Sequence, residues 1–314
     1  MQITNAISWS LVELLEGWAK VQAIHTNTMI SGLSLDSRST KPGDLFFAMR
    51  GLQQHGLEYS QYAIANGAAA IAWEPDQSVK QDRLPSTIPC VPISVLQQKV
   101  GAIAQRFYHH PSADINVIGV TGTDGKTSVS QFVAQAFEQL KISCGVIGTL
   151  GYGVYPDFVA ASHTTPDAIR IQRLLHDFFA RKVSNAVIEA SSHGLKQGRL
   201  NSVAISTAVF TNLGRDHMDY HSSLEDYGNS KTILFHMPNL QSAVINIDDE
   251  FGCRLANDLD KQVNVIRYSC NNQAFDNKTS EFGAYIYAQR IRATQDATVI
   301  EVNSSWGNAT IESK

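Results

Sequence analysis

The chain has 314 residues, a formal net charge of −4 at pH 7 and 43% hydrophobic residues. A chain of this length can bury one large core or two smaller ones, so we expect two domains. The slight acidic excess leaves no basic footprint, which argues against a nucleic-acid partner.

Cysteine spacing and hydropathy exclude further classes of protein. The four cysteines, Cys90, Cys144, Cys253 and Cys270, show no C-x-x-C spacing, so they predict reduced thiols and not a zinc site or a disulfide framework. No basic segment followed by an apolar run opens the chain, and no stretch approaches the ~20 apolar residues of a membrane helix. We therefore expect a soluble cytoplasmic protein with no membrane partner.

Residues 1–95 predict a small α/β domain. Helices are predicted over 10–19 and 59–66, and strands over 32–36, 45–49 and 68–73. Strand, helix and strand in this order favour parallel pairing. Three prolines between residues 85 and 92 and a helix predicted over 94–108 put the domain boundary in this region, at about residue 95.

A glycine-rich loop, Gly122 to Ser128, follows an apolar run that predicts a buried strand. The helix behind the loop should bury the apolar residues that recur at helical spacing, which are Val129, Phe132, Val133, Ala136, Phe137 and Leu140. A loop between a strand and a helix N-terminus favours anions, because its N–H groups and the helix dipole point at the ligand. Lys126 can reach the outer phosphates of a nucleotide, and the hydroxyl of Thr127 or Ser128 can bind Mg²⁺.

The spacing of this loop departs from the Walker A pattern G-x-x-x-x-G-K. Val120 stands where the first glycine belongs, and Gly119 and Gly122 lie on either side. An ordinary turn between strand and helix with a surface lysine is therefore the alternative. The order of strand, loop, Gly-Lys-Thr and amphipathic helix favours phosphate binding.

Strands and helices alternate in the rest of the chain. Strands are predicted over 143–148, 185–190, 205–211 and 243–247, helices over 167–181 and 224–235, and an antiparallel edge over 284–291 and 298–302. This alternation predicts a mostly parallel sheet with helices on both faces, and ligand sites at the carboxyl ends of its strands. The predicted fold class is α/β, with a small N-terminal domain over 1–95 and a P-loop central domain over 96–314.

Three polar groups stand at or near strand ends. Glu189 closes an apolar run and can hold Mg²⁺, although a solvated strand-end glutamate is the alternative. The pair Asp216 and His217 can ligate a metal or position a nucleotide, but it also fits a surface turn. Helix capping accounts for Asp167 in the segment from His163 to Asp167, and it leaves the two threonines unexplained.

Read together, these segments resemble the Mur ligase family, and within it the branch of UDP-N-acetylmuramoyl-tripeptide synthetases (MurE). The matching segments are Leu35 to Arg38, Pro42 to Phe46, Gly122 to Ser128, Thr164-Thr165, Glu189 to Arg199 (EASSHGLKQGR), Thr211 to Tyr220 (TNLGRDHMDY), Tyr227 to Lys231 and Asn246 to Glu250 (NIDDE). They span nearly the whole chain in the order typical of the family. The first segment and EASSHGLKQGR are specific to this branch, whereas the phosphate loop alone also fits a folylpolyglutamate synthetase.

The resemblance implies an ATP-dependent amide-bond ligase that uses Mg²⁺. The terminal carboxylate of UDP-N-acetylmuramoyl-L-alanyl-D-glutamate would attack the γ-phosphorus of ATP, and the amino group of a diamino acid would then displace phosphate from the acyl phosphate. We expect meso-diaminopimelate as the diamino acid, with L-lysine as the alternative, and a monomeric protein. A ligase that adds D-alanyl-D-alanine fits the segment after Glu189 less well. A non-catalytic nucleotide-binding regulatory protein of the same fold is the hypothesis from another class.

The resemblance also implies roles for individual residues. Those implied for ATP are Gly122, Thr123, Asp124, Gly125, Lys126, Thr127, Ser128 and Asn212. Those implied for the UDP-substrate are Leu35, Ser37, Thr164, Thr165, Ser191, Gln197 and Arg199. Those implied for the metal are Thr127, Glu189, His217 and a carbamylated Lys231, and the catalytic group comprises Lys126, Glu189, His217 and Lys231.

Three positions need comment beside these implied roles. The residue pattern alone predicts that Lys231 is a solvated helix lysine. Asp124 and His163 stand where the family usually has asparagine, which puts their contacts with ATP and substrate in question.

The family has a third, C-terminal domain that carries the amino-acid pocket, and the resemblance ends near the end of its central domain. We therefore interpret this sequence as a fragment. These 314 residues should bind the UDP-substrate, and ATP weakly, without ligating; robust turnover by the chain alone would contradict this expectation.

Overall fold

The computed structural model describes residues 7–51, 54–77, 79, 84–271 and 283–313, and its backbone forms two compact units. The first unit takes the described residues up to Pro111 together with Asp167–Asp177 and Gln197–Val203, and the second unit takes the others. The helix that begins at Leu96 therefore belongs to the first unit, whereas the sequence analysis sets the boundary before it.

The first unit is built from short elements around a parallel sheet. Its helices are α1 (Leu11–Leu15), α2 (Ser60–Ala65) and α3 (Leu96–Phe107), and its strands are β1 (Trp9–Ser10), β2 (Met29–Ile30), β3 (Gly32–Ser34), β4 (Asp44–Ala48), β5 (Ala70–Trp73) and β6 (Cys90–Pro92). The strand order β3-β4-β5-β6 has only parallel pairings, and β1 and β2 form a separate antiparallel pair.

Burial explains why the first sheet forms. Every residue of β4 and β5 is buried, as expected for parallel strands that are covered on both faces. The guanidinium of Arg106 in α3 donates to the carbonyl oxygens of Glu13, Leu14 and Glu16, at 2.7 to 3.2 Å, where α1 ends. These bonds satisfy carbonyl groups that a helix C-terminus leaves without an intrahelical partner.

The second unit contains the larger sheet. Its helices are α4 (Lys126–Gln139), α6 (Ser192–Lys196), α7 (Leu224–Thr232) and α8 (Glu250–Asp258), while α5 (Ala168–Ala180) has residues in both units. Its strands are β7 (Asn116–Thr121), β8 (Cys144–Gly148), β9 (Gly151–Val154), β10 (Asp157–Val159), β11 (Asn185–Glu189), β12 (Ile205–Phe210), β13 (Ser242–Asn246), β14 (Asn264–Ser269), β15 (Ala284–Ala293), β16 (Thr298–Ser304) and β17 (Gly307–Ser313).

These strands form one sheet in the order β10-β9-β8-β11-β7-β12-β13-β14-β15-β16-β17. All pairings from β8 to β15 through the centre are parallel, and the pairings at the two edges are antiparallel. The predicted α/β class with a mostly parallel sheet is therefore confirmed. The hairpin of β9 and β10 is not predicted by the residue pattern, because its glycines and Pro156 are typical of a loop.

The predicted buried face of α4 is partly wrong. Val129, Val133 and Phe137 pack on the sheet core, but Phe132 is 56% exposed and Leu140 is 68% exposed. The residues that α4 buries completely are the small Ser130 and Ala134, so the face that meets the sheet is turned away from Phe132. Leu140 follows the last residue of the helix. Within the described part of the chain, no helix is long and apolar enough to span a membrane.

Close packing of a glycine in β8 generates a stability prediction. A Cβ on Gly145 would lie 2.4 Å from the ring of Phe178, which is 2% exposed. Gly145→Ala should therefore lower the free energy of unfolding by about 1–3 kcal/mol through overpacking. Phe178→Leu should relieve part of that cost, so the double variant should be less destabilised than the sum of the single variants in urea unfolding.

The control for this cycle is Gly101→Ala in α3, where the nearest atom would be an ordinary 3.4 Å from the new Cβ. Alanine is favoured over glycine inside a helix, so this variant should be neutral or stabilising. Additive effects of the Gly145 and Phe178 substitutions would show that the two side chains do not compete for space.

Candidate active site

The glycine-rich loop joins β7 to α4 at the carboxyl edge of the large sheet. β7 ends at Thr121 and α4 begins at Lys126, as the order of the motif predicts. A Cβ on Gly122 would lie 1.8 Å from Thr211 Oγ1, so this position has no room for a side chain. Gly125 has a φ of 81°, in the left-handed region that favours glycine.

The segment after β12 holds this loop in place. The N–H of Asp124 donates to Asn212 Oδ1 at 3.0 Å, and Asn212 Nδ2 donates to the carbonyl of Asp124 at 3.2 Å. Thr211 Oγ1 donates to the same carbonyl at 2.6 Å. The side chain of Asn212 thus pairs with the loop backbone as a neighbouring strand would. Its contact with ATP remains a prediction.

A pocket of about 270 Å³ opens beside the loop, within the second unit. Its lining residues are Thr123, Asp124, Gly125, Lys126, Thr127, Ser128, Thr149, Thr164, Glu189, Ser191, Ser192, His217, Tyr227 and Lys231. Three of them, Thr149, Ser192 and Tyr227, have no role predicted from the sequence. Thr149 follows β8 directly, so the rule that sites lie at the carboxyl ends of parallel strands could have identified it.

The carboxylate of Glu189 lies at the end of β11 and accepts three hydrogen bonds. Glu189 is 1% exposed. Its Oε2 accepts from Thr127 Oγ1 at 2.9 Å and from Thr149 Oγ1 at 3.0 Å, and its Oε1 accepts from the Thr149 N–H at 3.0 Å. The carboxylate is therefore held between the first turn of α4 and the end of β8.

Two lysine side chains converge on the carbonyl oxygen of Gly122. Lys126 Nζ donates to this oxygen at 2.9 Å and to the Thr123 carbonyl at 2.8 Å. Lys231 Nζ donates to the Gly122 oxygen at 2.9 Å and lies 4.1 Å from the ring centroid of Tyr227. Lys231 is 1% exposed, so the residue-pattern expectation of a solvated helix lysine is wrong.

Burial changes the protonation of both lysines. Burial lowers the pKa of Lys231 to about 7, and the nearby positive charge of Lys126 contributes in the same direction. Burial also lowers the pKa of Lys126, and the negative charge of Glu189 opposes that change. Near neutral pH, Lys231 therefore has a large fraction of neutral amine, in contrast to a solvated lysine.

His217 borders the pocket with a φ of 55°, a left-handed conformation that few non-glycine residues adopt. The ring of His193 lies 4.9 Å from that of His217 and 5.7 Å from that of His221, measured between centroids. Nε2 of His221 is hydrogen bonded to Ser192 Oγ at 3.1 Å, and its Nδ1 lies 3.4 Å from Asp226 Oδ2. Burial lowers the pKa of His221. These rings support the wall of the pocket beside α6.

The residues implied for the UDP-substrate fall into separate groups. Thr164 and Ser191 line the pocket beside the loop, and Thr165 Oγ1 accepts from the Ser191 N–H at 2.9 Å. Leu35 and Ser37 line another cavity of about 730 Å³ within the first unit.

Gln197 and Arg199 also belong to the first unit. The guanidinium of Arg199 donates to Gln197 Oε1 at 2.7 and 3.0 Å. The backbone N–H of His163 donates to the Tyr152 hydroxyl at 3.2 Å.

The oxygen groups beside the loop fit Mg²⁺ that arrives with a nucleotide. In the described residues, no three His, Cys, Asp or Glu side chains cluster as a metal site. Mg²⁺ does not need such a cluster, because it is usually bound by one or two carboxylates together with phosphates and water. Thr127 Oγ1 and Glu189 Oε2, hydrogen bonded at 2.9 Å, are two hard oxygen atoms of the kind that can bind Mg²⁺.

Comparison with family models covers most of the chain. Residues 120–314 match the Mur ligase middle domain, and residues 29–108 match the Mur ligase family catalytic domain. The first match alone spans more than half of the 314 residues.

Two similar relatives are named UDP-N-acetylmuramoyl-L-alanyl-D-glutamate–2,6-diaminopimelate ligase. The protein from Coxiella burnetii is 39% identical over 300 residues, which cover 96% of this chain and 60% of that protein. The protein from Pseudomonas aeruginosa is 42% identical over 264 residues, which cover 84% of this chain and 52% of that protein. This chain thus spans little more than half of the length of these relatives.

Solved structures agree with the sequence comparison. A structure with the same ligase name has a TM-score of 0.79 at 31% identity and covers 98% of this chain and 60% of its own chain. MurF from Acinetobacter baumannii has a TM-score of 0.64 at 17% identity, covering 97% of this chain and 60% of that chain, which shows a shared fold. The resemblance drawn from the sequence is confirmed: this chain belongs to the Mur ligase family.

Proposed function

We propose that this chain forms the UDP-substrate-binding and nucleotide-binding part of an ATP-dependent ligase. The ligase would add meso-diaminopimelate to UDP-N-acetylmuramoyl-L-alanyl-D-glutamate. The observation that carries the proposal is the convergence of Lys126, Thr127, Glu189 and Lys231 on one pocket beside the glycine loop. The names of the similar relatives support the choice of diaminopimelate over L-lysine.

The loop and the start of α4 would bind the phosphates of ATP. Backbone N–H groups at a helix N-terminus attract anions, and Lys126 is the first residue of α4. Lys126 would exchange its bonds to the Gly122 and Thr123 carbonyls for phosphate oxygens. This exchange gives its buried ammonium an anionic partner, which offsets the desolvation that lowers its pKa.

Activation of the substrate would take place at this pocket. A carboxylate is a poor acyl donor until its oxygen becomes part of a leaving group. One carboxylate oxygen would attack the γ-phosphorus with departure of ADP, and the amine would then attack the acyl carbon with departure of phosphate. Lys126 would offset charge on the transferred phosphoryl group. When bound through Thr127 and Glu189, Mg²⁺ would add charge neutralisation at the same phosphates.

Lys231 would act as a carbamate. Its neutral amine, formed when the ammonium group loses a proton, would attack CO₂ to form an N–C bond and release a second proton, so the two steps together convert a cation into an anion. A pKa of about 7 supports this step, because the nucleophile is the unprotonated amine. The product would place a negative charge beside Lys126 and remove the repulsion between the two lysines.

The first test of the proposed function is isothermal titration of this chain with UDP-N-acetylmuramoyl-L-alanyl-D-glutamate and with UDP-N-acetylmuramic acid. The dipeptide form should bind more tightly. Arg199→Ala should weaken binding of the dipeptide form about tenfold or more, because it removes a charged hydrogen-bond donor. The control is Arg181→Ala, an exposed arginine. Equal affinity of both ligands, or no binding of either, would contradict the proposed substrate.

Carbamylation of Lys231 can be observed directly. In ¹³C-bicarbonate, the protein should give a carbamate carbon resonance that disappears on acidification and is missing in Lys231→Met. Lys141→Met, which removes an exposed lysine, should keep the resonance. A spectrum that is the same with and without Lys231 would rule out the modification at this position.

The lowered pKa of Lys231 also predicts a pH dependence of stability in buffer free of CO₂. The folded pKa is about 7 and the ordinary value is 10.5, so between these values the unfolded chain binds the proton and the folded chain does not. The free energy of unfolding should therefore gain a rising contribution across this window, and Lys231→Met should remove it. Urea unfolding at several pH values measures the free energy of unfolding of both proteins. An equal pH dependence for the unsubstituted chain and Lys231→Met would contradict the lowered pKa of Lys231.

A further inference from the structure

Thr149 follows the last residue of β8 and lies beside the end of β11. The two strands pair in parallel, so their carboxyl ends meet at the same edge of the sheet. This position brings Thr149 next to Glu189, the last residue of β11. None of the roles that the resemblance implies includes Thr149.

Thr149 bonds to both oxygens of the Glu189 carboxylate. Its N–H donates to Oε1 and its Oγ1 donates to Oε2, each at 3.0 Å. The third donor, Thr127 Oγ1, reaches Oε2 alone. Among the hydrogen bonds of the described residues, Thr149 alone contacts both carboxylate oxygens. Two bonds from one residue fix the rotation of the carboxylate as well as its position.

Neighbouring residues fix Thr149 in turn. Thr149 Oγ1 and Thr164 Oγ1 are hydrogen bonded at 3.0 Å. Because the Thr149 proton is used on Glu189, the Thr164 hydroxyl is the donor of this second bond. A Cβ on Gly148 would lie 2.1 Å from Glu189 Oε1, so the carboxylate packs directly on the backbone at the end of β8. The glycine is what allows this close approach.

The contacts to Thr149 also leave the charge of Glu189 intact. A backbone N–H and a hydroxyl are neutral donors, so they hold the carboxylate without compensating its negative charge. Thr127 is itself a candidate ligand for the cation, and its bond to Oε2 would compete with metal binding. The bonds from Thr149 form whether Thr127 contacts Oε2 or the cation, so they can persist when a cation binds.

We propose that Thr149 is a positioning residue, which holds the Glu189 carboxylate in the orientation that binds a divalent cation together with a nucleoside triphosphate. The inference rests on the proposed function, because the cation is the one that the ligase would use. Removing the Thr149 hydroxyl should lower the affinity for the cation more than the affinity for the nucleotide. Supporting residues of metal ligands typically contribute about 10- to 100-fold in metal affinity.

The test compares Thr149→Val, which keeps the shape and loses the hydroxyl, with Thr149→Ser, which keeps the hydroxyl. Binding of Mn²⁺ to this chain in the presence of the non-hydrolysable analogue AMPPNP is followed by electron paramagnetic resonance. AMPPNP binding without metal is measured by calorimetry in EDTA. Thr149→Val should weaken Mn²⁺ binding about tenfold or more and leave metal-free AMPPNP binding unchanged. Thr149→Ser should bind both ligands as tightly as the unsubstituted chain does.

Two further variants separate positioning from loss of structure. Gly148→Ala leaves the Thr149 hydroxyl in place and displaces the Glu189 carboxylate, so this variant should also weaken Mn²⁺ binding. Thr310→Val, in the exposed edge strand β17, should change neither measurement.

Three results would overturn the proposal. The first is that Thr149→Val binds Mn²⁺ as tightly as the unsubstituted chain does, and the second is that it loses metal-free AMPPNP binding to the same extent as Mn²⁺ binding. Either result refutes the positioning role alone. If the unsubstituted chain holds no Mn²⁺ with AMPPNP, the proposed nucleotide site fails, and the role of Thr149 fails with it.

Discussion

The shared carbonyl oxygen of Gly122 is the constraint on which the rest of the site depends. Lys126 reaches it from the start of α4 and Lys231 reaches it from α7, both at 2.9 Å. Two ammonium groups at one partly negative oxygen repel each other, and burial removes the water that would screen them. The arrangement favours loss of a proton from Lys231, or the arrival of anions. Either outcome relieves the repulsion between the two ammonium groups.

The acidic side of the pocket differs from the lysine side, because the hydrogen-bond donors around its carboxylate carry no charge. Glu189 is buried, yet its partners are a backbone N–H and two threonine hydroxyls, which are neutral. Neutral donors meet the hydrogen-bonding needs of a buried carboxylate without cancelling its charge. The negative charge of Glu189 acts on Lys126, where it raises the pKa of the ammonium group against the effect of burial. A carboxylate prepared in this way keeps its attraction for a cation.

Much of the second unit could be predicted because its signals are local. The glycine loop lies between β7 and α4 as its motif predicts, and alternating elements gave the parallel sheet. The signals failed where burial depends on distant partners. Phe132 has the helical spacing of a core residue and is 56% exposed, because α4 lies on the sheet through Ser130 and Ala134. The prediction for Lys231 is wrong in the opposite sense, because a lysine expected in solvent is buried. Nothing in its neighbourhood along the chain indicates a buried lysine.

The sequence by itself determined the family, the α/β class and the place of the glycine-rich loop between β7 and α4, because glycine positions, strand runs and ordered motifs are properties of short segments. Only the tertiary structure decided which side chains share a pocket. Thr149 and Glu189 are 40 positions apart, and Lys231 and Gly122 are 109 apart. Parallel strands bring such residues to one edge, and the close packing there sets their hydrogen bonds and the low pKa of Lys231. Contacts across such separations follow from packing the whole sheet, so no single segment encodes them.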